Sequence, residues 1–432
     1  MKRALGFAFL AEALTALCMV TGFKLAFVLW GSAGFGEWML ARRLLSFVVP
    51  LATLGLEVAI PRYVAIARAG EGEFSAAEIM AAALRIGLAT CAALLVLMFG
   101  FRDAIAAAAF GSSAYAPLLI PTGALVAVYA LHVLVYAYLR GSSRAAGSSG
   151  LHVAVHGLVP LAVFALRPAS VASALAEVAL MTLGCSLAAA AYVVRRDRLA
   201  LRAPAPHAAR ALFRYGRSRM AAALGLLLLA TFPAAYTART AGMEHAGVIA
   251  LGLSLIGMAG SAATPIGVAL LPAAAVHFAR RGSSRLPTLS SARALAAAAS
   301  ALGTLLAFWF APVVASTFVD AASGAEAALA LRICALGAGP YFFFCCTRTL
   351  VDAQTVEAVN ARVVLLALAW FLGALAVTRI ALDLDPALAA VSSYVVACWA
   401  LAGGIWRALS RAFAGAEPAR AAGAAVHEAR TA

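Results

Sequence analysis

Twelve apolar runs punctuate this chain, at about 5–30, 37–60, 78–100, 117–139, 148–166, 171–193, 217–238, 246–271, 294–313, 327–347, 358–378 and 387–406. A helix crosses a hydrocarbon core of ~30 Å in about 20 residues, and each run is close to that length. The pattern predicts an all-α polytopic membrane protein with 12 transmembrane helices. The first run follows a short basic stretch, as in a secretory signal. Its roughly 26 apolar residues exceed a signal's ~7–15, so it reads as the first transmembrane helix.

The polar positions between the runs are not equivalent. Of the 33 Lys and Arg residues, 24 fall in the terminal segments and even-numbered gaps, counting those at run borders. The odd-numbered gaps hold only Arg102, Arg167, Arg239 and Arg379. Acidic residues show no such bias. Positive charge sets orientation in short loops, so both termini and the even gaps are predicted to be cytoplasmic.

The longest connection, roughly Arg195 to Arg217, is basic, carries Pro204 and Pro206, and leaves six runs on each side. An even number per half means a repeat would be parallel, about an axis along the membrane normal. Such a repeat is visible. Gly36 to Pro61 and Gly247 to Pro272 both run from an outer glycine turn to a proline, at an offset of 211. Leu139-Arg140-Gly141 and Thr347-Arg348-Thr349 match loosely at an offset of 208. The predicted organisation is an N-terminal lobe over 1–205, a C-terminal lobe over 206–413, and a disordered tail over 414–432.

Composition sharpens this reading. Hydrophobic residues make up 64% and charged residues 12%, against about 25% charged in soluble domains. A net charge of +15 would point to nucleic acid in a soluble chain. Here it is explained by contact with anionic lipid, and no nucleic-acid partner is implied. Lysine occurs only at Lys2 and Lys24 among many Arg and Ala, the coding bias of a GC-rich, bacterial genome. The seven cysteines lie inside apolar runs with no C-x-x-C pair, which makes them small core residues.

Several short stretches carry a family resemblance. These are Gly34-Phe35-Gly36-Glu37-Trp38, Pro50-Leu51-Ala52-Thr53-Leu54-Gly55-Leu56-Glu57 and Pro61-Arg62-Tyr63-Val64-Ala65, then Tyr138-Leu139-Arg140-Gly141, Phe213-Arg214-Tyr215-Gly216 and Arg348-Thr349-Leu350-Val351-Asp352-Ala353. Together they resemble Wzx-type polysaccharide flippases of the multidrug/oligosaccharidyl-lipid/polysaccharide exporter superfamily. The resemblance spans nearly the whole chain and is carried by layout more than by invariant residues. It implies two six-helix lobes around a central cavity and transbilayer movement of an undecaprenyl-pyrophosphate-linked oligosaccharide. It implies a bacterial inner-membrane location and partnership with polysaccharide assembly machinery. No cofactor is implied, and energy would come from Na+ or H+ or the membrane potential.

No specific family ligand maps onto this sequence, so candidate site residues follow from physics. A charge at mid-helix costs about 2.5–3.5 kcal/mol on insertion scales and calls for a reason. Five cations lie inside runs: Lys24, Arg42, Arg43, Arg85 and Arg332. Three acids do so, Glu12, Glu57 and Glu177. Arg matches phosphate with its planar fork, so the five are candidates for pyrophosphate binding. The alternative is snorkelling toward headgroups. Arg42 and Arg43 lie ~100° apart on the helix, so they point different ways. Glu12 is the acid well inside the first run. The related multidrug exporters keep a coupling carboxylate there, which makes Glu12 a candidate ion-coupling residue against the plainer reading of a structural ion pair. Glu57 lies near the cytoplasmic end of the second run.

Tyr129, His132 and Tyr136 recur at i, i+3 and i+7, one face of a helix. They could stack on sugar rings or be buried between helices. His152 and His156 share a face at i, i+4 with no third ligand nearby in sequence, so no metal site is predicted. Pro233, Pro265 and Pro340 interrupt runs in the second half and are candidate bending points. Asp383 and Asp385 read as loop polarity.

No Walker loop, H-E-x-x-H or other catalytic constellation occurs, so an enzyme is not predicted. A drug or cation antiporter of the same superfamily is the alternative, favoured if acids rather than cations dominate the cavity. A membrane polysaccharide polymerase or ligase ranks lower, because it needs a sizeable outer loop and the longest here is only ~16 residues.

Overall fold

The computed structural model describes residues 2–70, 73–200, 205–281, 287–318, 324–354 and 359–414. The tail expected to be disordered after Ala414, and Pro204 in the central linker, lie outside the described residues. Every regular element among the described residues is helical. They are α1 (Lys2–Thr53), α2 (Leu56–Arg68), α3 (Ala76–Gly100), α4 (Arg102–Phe110), α5 (Leu119–Gly141), α6 (Ala145–Val153), α7 (Val159–Ala165), α8 (Val171–Asp197), α9 (Pro206–Thr240), α10 (Met243–Arg281), α11 (Pro287–Phe318), α12 (Gly324–Gln354), α13 (Val359–Ala376) and α14 (Pro386–Ala414). A 3₁₀ turn precedes α5, a π turn joins α6 to α7, and a second π turn follows α13.

Among the described residues, eleven helices are long and apolar enough to cross a membrane. The first, Phe9–Thr53, has 45 residues, or about 68 Å at 1.5 Å per residue, twice a hydrocarbon core. Gly31 breaks it, with φ 67° and ψ −168°. Divided there, α1 supplies two spans, and the twelve apolar runs correspond one to one with twelve spans. The chain is a multi-pass membrane protein.

The second run does not continue to Pro61 as one helix, although its apolar pattern predicts that. Leu54 (φ 47°) and Gly55 (φ 76°) are left-handed, and α2 restarts at Leu56 with Pro61 inside it. Sequence periodicity is blind to this break because both sides are apolar. The fifth span is also irregular. Pro160 cannot donate a backbone hydrogen bond to the His156 carbonyl, and the chain there widens into the π turn Ala154–Leu158.

Local polar residues fix the helix ends. Ser75 and Glu78 form a capping box on α3, and Ser170 pairs with Ser173 on α8 in the same way, each satisfying donors a helix start leaves open. Asp385, read from sequence as plain loop polarity, accepts from the Ala387 N–H at 2.8 Å and caps α14. Pro233 and Pro340 do not end their helices: α9 and α12 run through them. Beside Pro340, the Gly339 N–H donates to Thr304 Oγ1 of α11 at 3.1 Å. The side chain of Pro265 lies outside the described residues.

Packing separates the chain into two compact units. The first comprises Met1–Leu251 with Ala315–Ala327, the second Gly252–Val314 with Ala328–Ala432. A repeat and a packing unit need not share a boundary, and residues 206–251 pack into the first unit. Within the first unit α5 is central: 67% of its spanning window is buried, against 28% for α3. Leu10, Leu88 and Leu180 are among its large apolar side chains left exposed, as a lipid-facing surface requires.

Candidate functional site

The helical stripe Tyr129, His132 and Tyr136 of α5 faces inward in the first unit. Tyr129 and His132 are buried there, at 7% and 2% exposure. Against it lies the second stripe, His152 of α6 and His156 of the π turn. Ring centroids are 5.2 Å apart for Tyr129–His156 and for His132–His156, 5.7 Å for Tyr136–His152, and 4.7 Å for His152–His156. Glu12 of α1 completes the cluster, its Oε1 3.9 Å from His152 Nε2. Two stripes from different spans and one carboxylate thus form a continuous polar seam inside an apolar bundle. The Nδ1 of His132 is buried without a hydrogen-bond partner, an arrangement that folding alone does not favour. The rings lie against one another, and among the described residues no three His, Cys, Asp or Glu side chains could hold a metal ion.

Sequence reasoning found both stripes and Glu12 separately and missed that they meet. His152 was the signal available. It lies on the face that continues toward Tyr136, and a histidine so deep in an apolar run has to find a partner.

The five in-span cations occupy different settings. Arg42 lies over the rings of Phe23 and Trp38, 5.8 Å from each centroid, and within electrostatic range of Tyr129 and His156. Arg43 turns the other way, as the ~100° step requires, and its Nη2 donates to the Ala250 carbonyl of α10 at 2.9 Å. Lys24 donates to the Thr317 carbonyl and lies 5.3 Å from the Phe27 ring centroid. Arg85 is exposed on α3. In the second unit, Arg332 is exposed on α12 and lies 5.6 Å from the Phe308 centroid.

Four of the resemblance motifs in the first unit, those at 50–57, 61–65, 138–141 and 213–216, converge at its arginine-rich end. A Cβ on Gly55 would lie 2.9 Å from Cα of Gly216, and one on Gly141 would lie 2.8 Å from Cα of Pro61. Arg62 packs 4.9 Å over the Tyr215 ring, and Tyr63 meets the same ring edge-on at 6.0 Å. Glu57 accepts from Thr53 Oγ1 at 3.1 Å. Close by in the chain's fold, Asp197 at the end of α8 binds Arg68 and Arg144, each at 2.5 Å, and accepts from the Tyr138 hydroxyl at 2.6 Å. Asp197 was not singled out by sequence, yet it is the single acid in the run Arg195-Arg196-Asp197-Arg198.

No protein-family model and no curated protein sequence matches this chain. Solved structures do match in fold. An inward-facing multidrug-resistance MATE family transporter of the MOP superfamily superposes with a TM-score of 0.78 at 18% identity, covering 91% of this chain and 95% of that one. The Vibrio cholerae MATE transporter in its bent form gives 0.65 at 16%, covering 96% and 97%. A MOP superfamily transporter from Pyrococcus furiosus, described as having a binding pocket of reverse polarity, gives 0.69 at 15%, covering 98% and 96%. At such identities these matches show the fold, which is MATE-like.

Proposed function

We propose that this chain is a transporter that flips an undecaprenyl-pyrophosphate-linked oligosaccharide across a bacterial inner membrane by alternating access. In this reading residues 1–205 and 206–413 are the two six-helix lobes, both termini are cytoplasmic, and the glycan passes unchanged on its way to surface polysaccharide. The observation that carries the proposal is the sign of the in-span charge within a MATE-like fold, five cations against three acids. A drug cation would be repelled by that balance, whereas a pyrophosphate is held by it. The fold accommodates such a change, since one structural neighbour is described by the reverse polarity of its pocket.

Roles follow from the settings. Arg85 and Arg332, the two in-span cations that are exposed on their helices, are assigned to the pyrophosphate. Arg42, Arg43 and Lys24 are pinned by rings or carbonyls and contribute field more than direct contact. Tyr129, His132 and Tyr136 are assigned to the sugars once the seam opens. Glu12, paired with His152, is assigned to ion coupling. The polyprenyl tail stays in lipid throughout.

A second reading, a multidrug or cation antiporter, is favoured by the multidrug transporters among the structural neighbours and by the Glu12–His152 pair. A deletion strain separates the two. The flippase reading expects lipid-linked repeat units to accumulate on the inner leaflet while surface polysaccharide disappears. Unchanged polysaccharide with lost efflux of cationic dyes would replace it with the second reading.

A further inference from the structure

In the second packing unit, α13 and α14 enclose a groove of ≈ 800 Å³. One end is lined by Arg362 of α13 and by Arg407 and Arg411 of α14, and the rest by apolar residues that include Leu366, Trp370 and Trp399. Arg407 and Arg411 are four residues apart, so they share one face of α14. From Arg362 to Trp370 is about 12 Å along α13, and from Arg411 to Trp399 about 18 Å along α14, at 1.5 Å per residue. Half of a ~30 Å hydrocarbon core is ~15 Å. The groove therefore has the length of one leaflet, with its charge gathered at the membrane surface and its apolar wall running inward.

We propose that this groove is a binding site for an anionic phospholipid of the leaflet on the arginine-rich side. The headgroup phosphate lies among Arg362, Arg407 and Arg411, and the acyl chains run along Leu366, Trp370 and Trp399. Guanidinium groups meet phosphate oxygens with two parallel N–H donors each, and basic pockets between transmembrane helices select anionic headgroups. Arg362 also engages a neighbour within the protein, so Arg407 and Arg411 carry most of the selectivity. A free phosphate would use only the charged end. The apolar length is what an acyl chain adds, and Trp370 and Trp399 are 56% and 61% exposed to receive it. The proposal does not depend on what the protein transports.

The test is native mass spectrometry of the full chain with phosphatidylglycerol and phosphatidylcholine in competition. Wild type should retain phosphatidylglycerol preferentially, and R407Q/R411Q should lower that preference about 30-fold, the effect of two arginines near an anionic surface. R407K/R411K should keep most of it. Unchanged preference in R407Q/R411Q would overturn the proposal. So would equal displacement of the lipid by inorganic phosphate, or stronger retention of polyprenyl phosphate than of phosphatidylglycerol. A second measurement needs no arginine variant. Phosphatidylglycerol with brominated acyl chains should quench tryptophan fluorescence more than brominated phosphatidylcholine does, and the excess should vanish in W370F/W399F. Equal quenching by the two lipids in wild type would also overturn it.

Discussion

Gly36 and Gly247, separated by 211 residues, meet at a helix crossing: a Cβ on Gly247 would lie 3.0 Å from Cα of Gly36. Gly31 and Gly242, at the same separation, both have positive φ, 67° and 92°. Ser32 donates to Glu244 Oε1 at 2.9 Å across the same crossing. Within the first unit, this crossing brings together positions that the 211-residue offset aligns. A side chain at either glycine must displace backbone. Gly36→Val and Gly247→Val should each destabilise the protein by about 1–3 kcal/mol, read as a lower melting temperature of the detergent-solubilised chain. Gly373→Val, where added volume meets open space, is the control and should leave it unchanged.

The Glu12–His152 pair allows a test of coupling that single variants do not. If the two groups work as a unit, Glu12→Gln and His152→Gln should each depress transport strongly, and the double variant should be little worse than either alone. Protein level serves as the structural readout, and it should fall little because both side chains retain some exposure, 27% and 23%. Multiplicative losses in the double variant would assign the two residues to separate roles.

How much of this was legible beforehand depends on the physics involved. Span count follows from composition alone, so twelve runs became twelve spans even though Gly31 hides one boundary inside α1. The Leu54–Gly55 break did not show, because both sides of it are apolar and its close neighbour, the backbone of Gly216, lies 161 residues further on. The same holds for the seam. The stripe of Tyr129, His132 and Tyr136 is a local periodicity, whereas its partners His152, His156 and Glu12 are supplied by the packing of other spans. Asp197 escaped because a lone acid among arginines looks like loop polarity until Arg68 and Arg144 are seen to converge on it.

Asp197→Asn is the informative change at that cluster. It removes the negative charge, replaces one of the two acceptor oxygens by an NH2 donor, and leaves two guanidinium groups on an uncharged partner. Arg144 is only 18% exposed, while Arg68 is 37% exposed and more screened. The cost should therefore come mainly from Arg144, at about 1–2 kcal/mol. Thermal unfolding in low salt should show it, and the difference from wild type should narrow in 1 M salt, where screening reaches ~3 Å. An unaltered melting temperature would mean the cluster adds nothing to stability.

The in-span arginines divide by exposure, Arg42 and Arg43 being half-buried and Arg85 and Arg332 exposed. Arg42 lies on Phe23 and Trp38, and Arg43 on the Ala250 carbonyl. Replacing either by Ala removes packing or a hydrogen bond, and both protein level and transport should fall. Arg85 and Arg332 are exposed, and exposed substitutions away from special features usually change stability by less than about 0.5 kcal/mol. Arg85→Ala and Arg332→Ala should therefore keep protein level near wild type. A charge-assisted hydrogen bond to phosphate contributes about 1.5–3 kcal/mol, so each should weaken substrate binding roughly 10- to 100-fold. The contrast, low transport at normal level for one pair and low level for the other, is measured by quantitative immunoblotting beside a polysaccharide assay. Normal transport in both Arg85→Ala and Arg332→Ala would remove the cationic cavity from the proposed mechanism, because no other exposed in-span cation is left among the described residues to replace them.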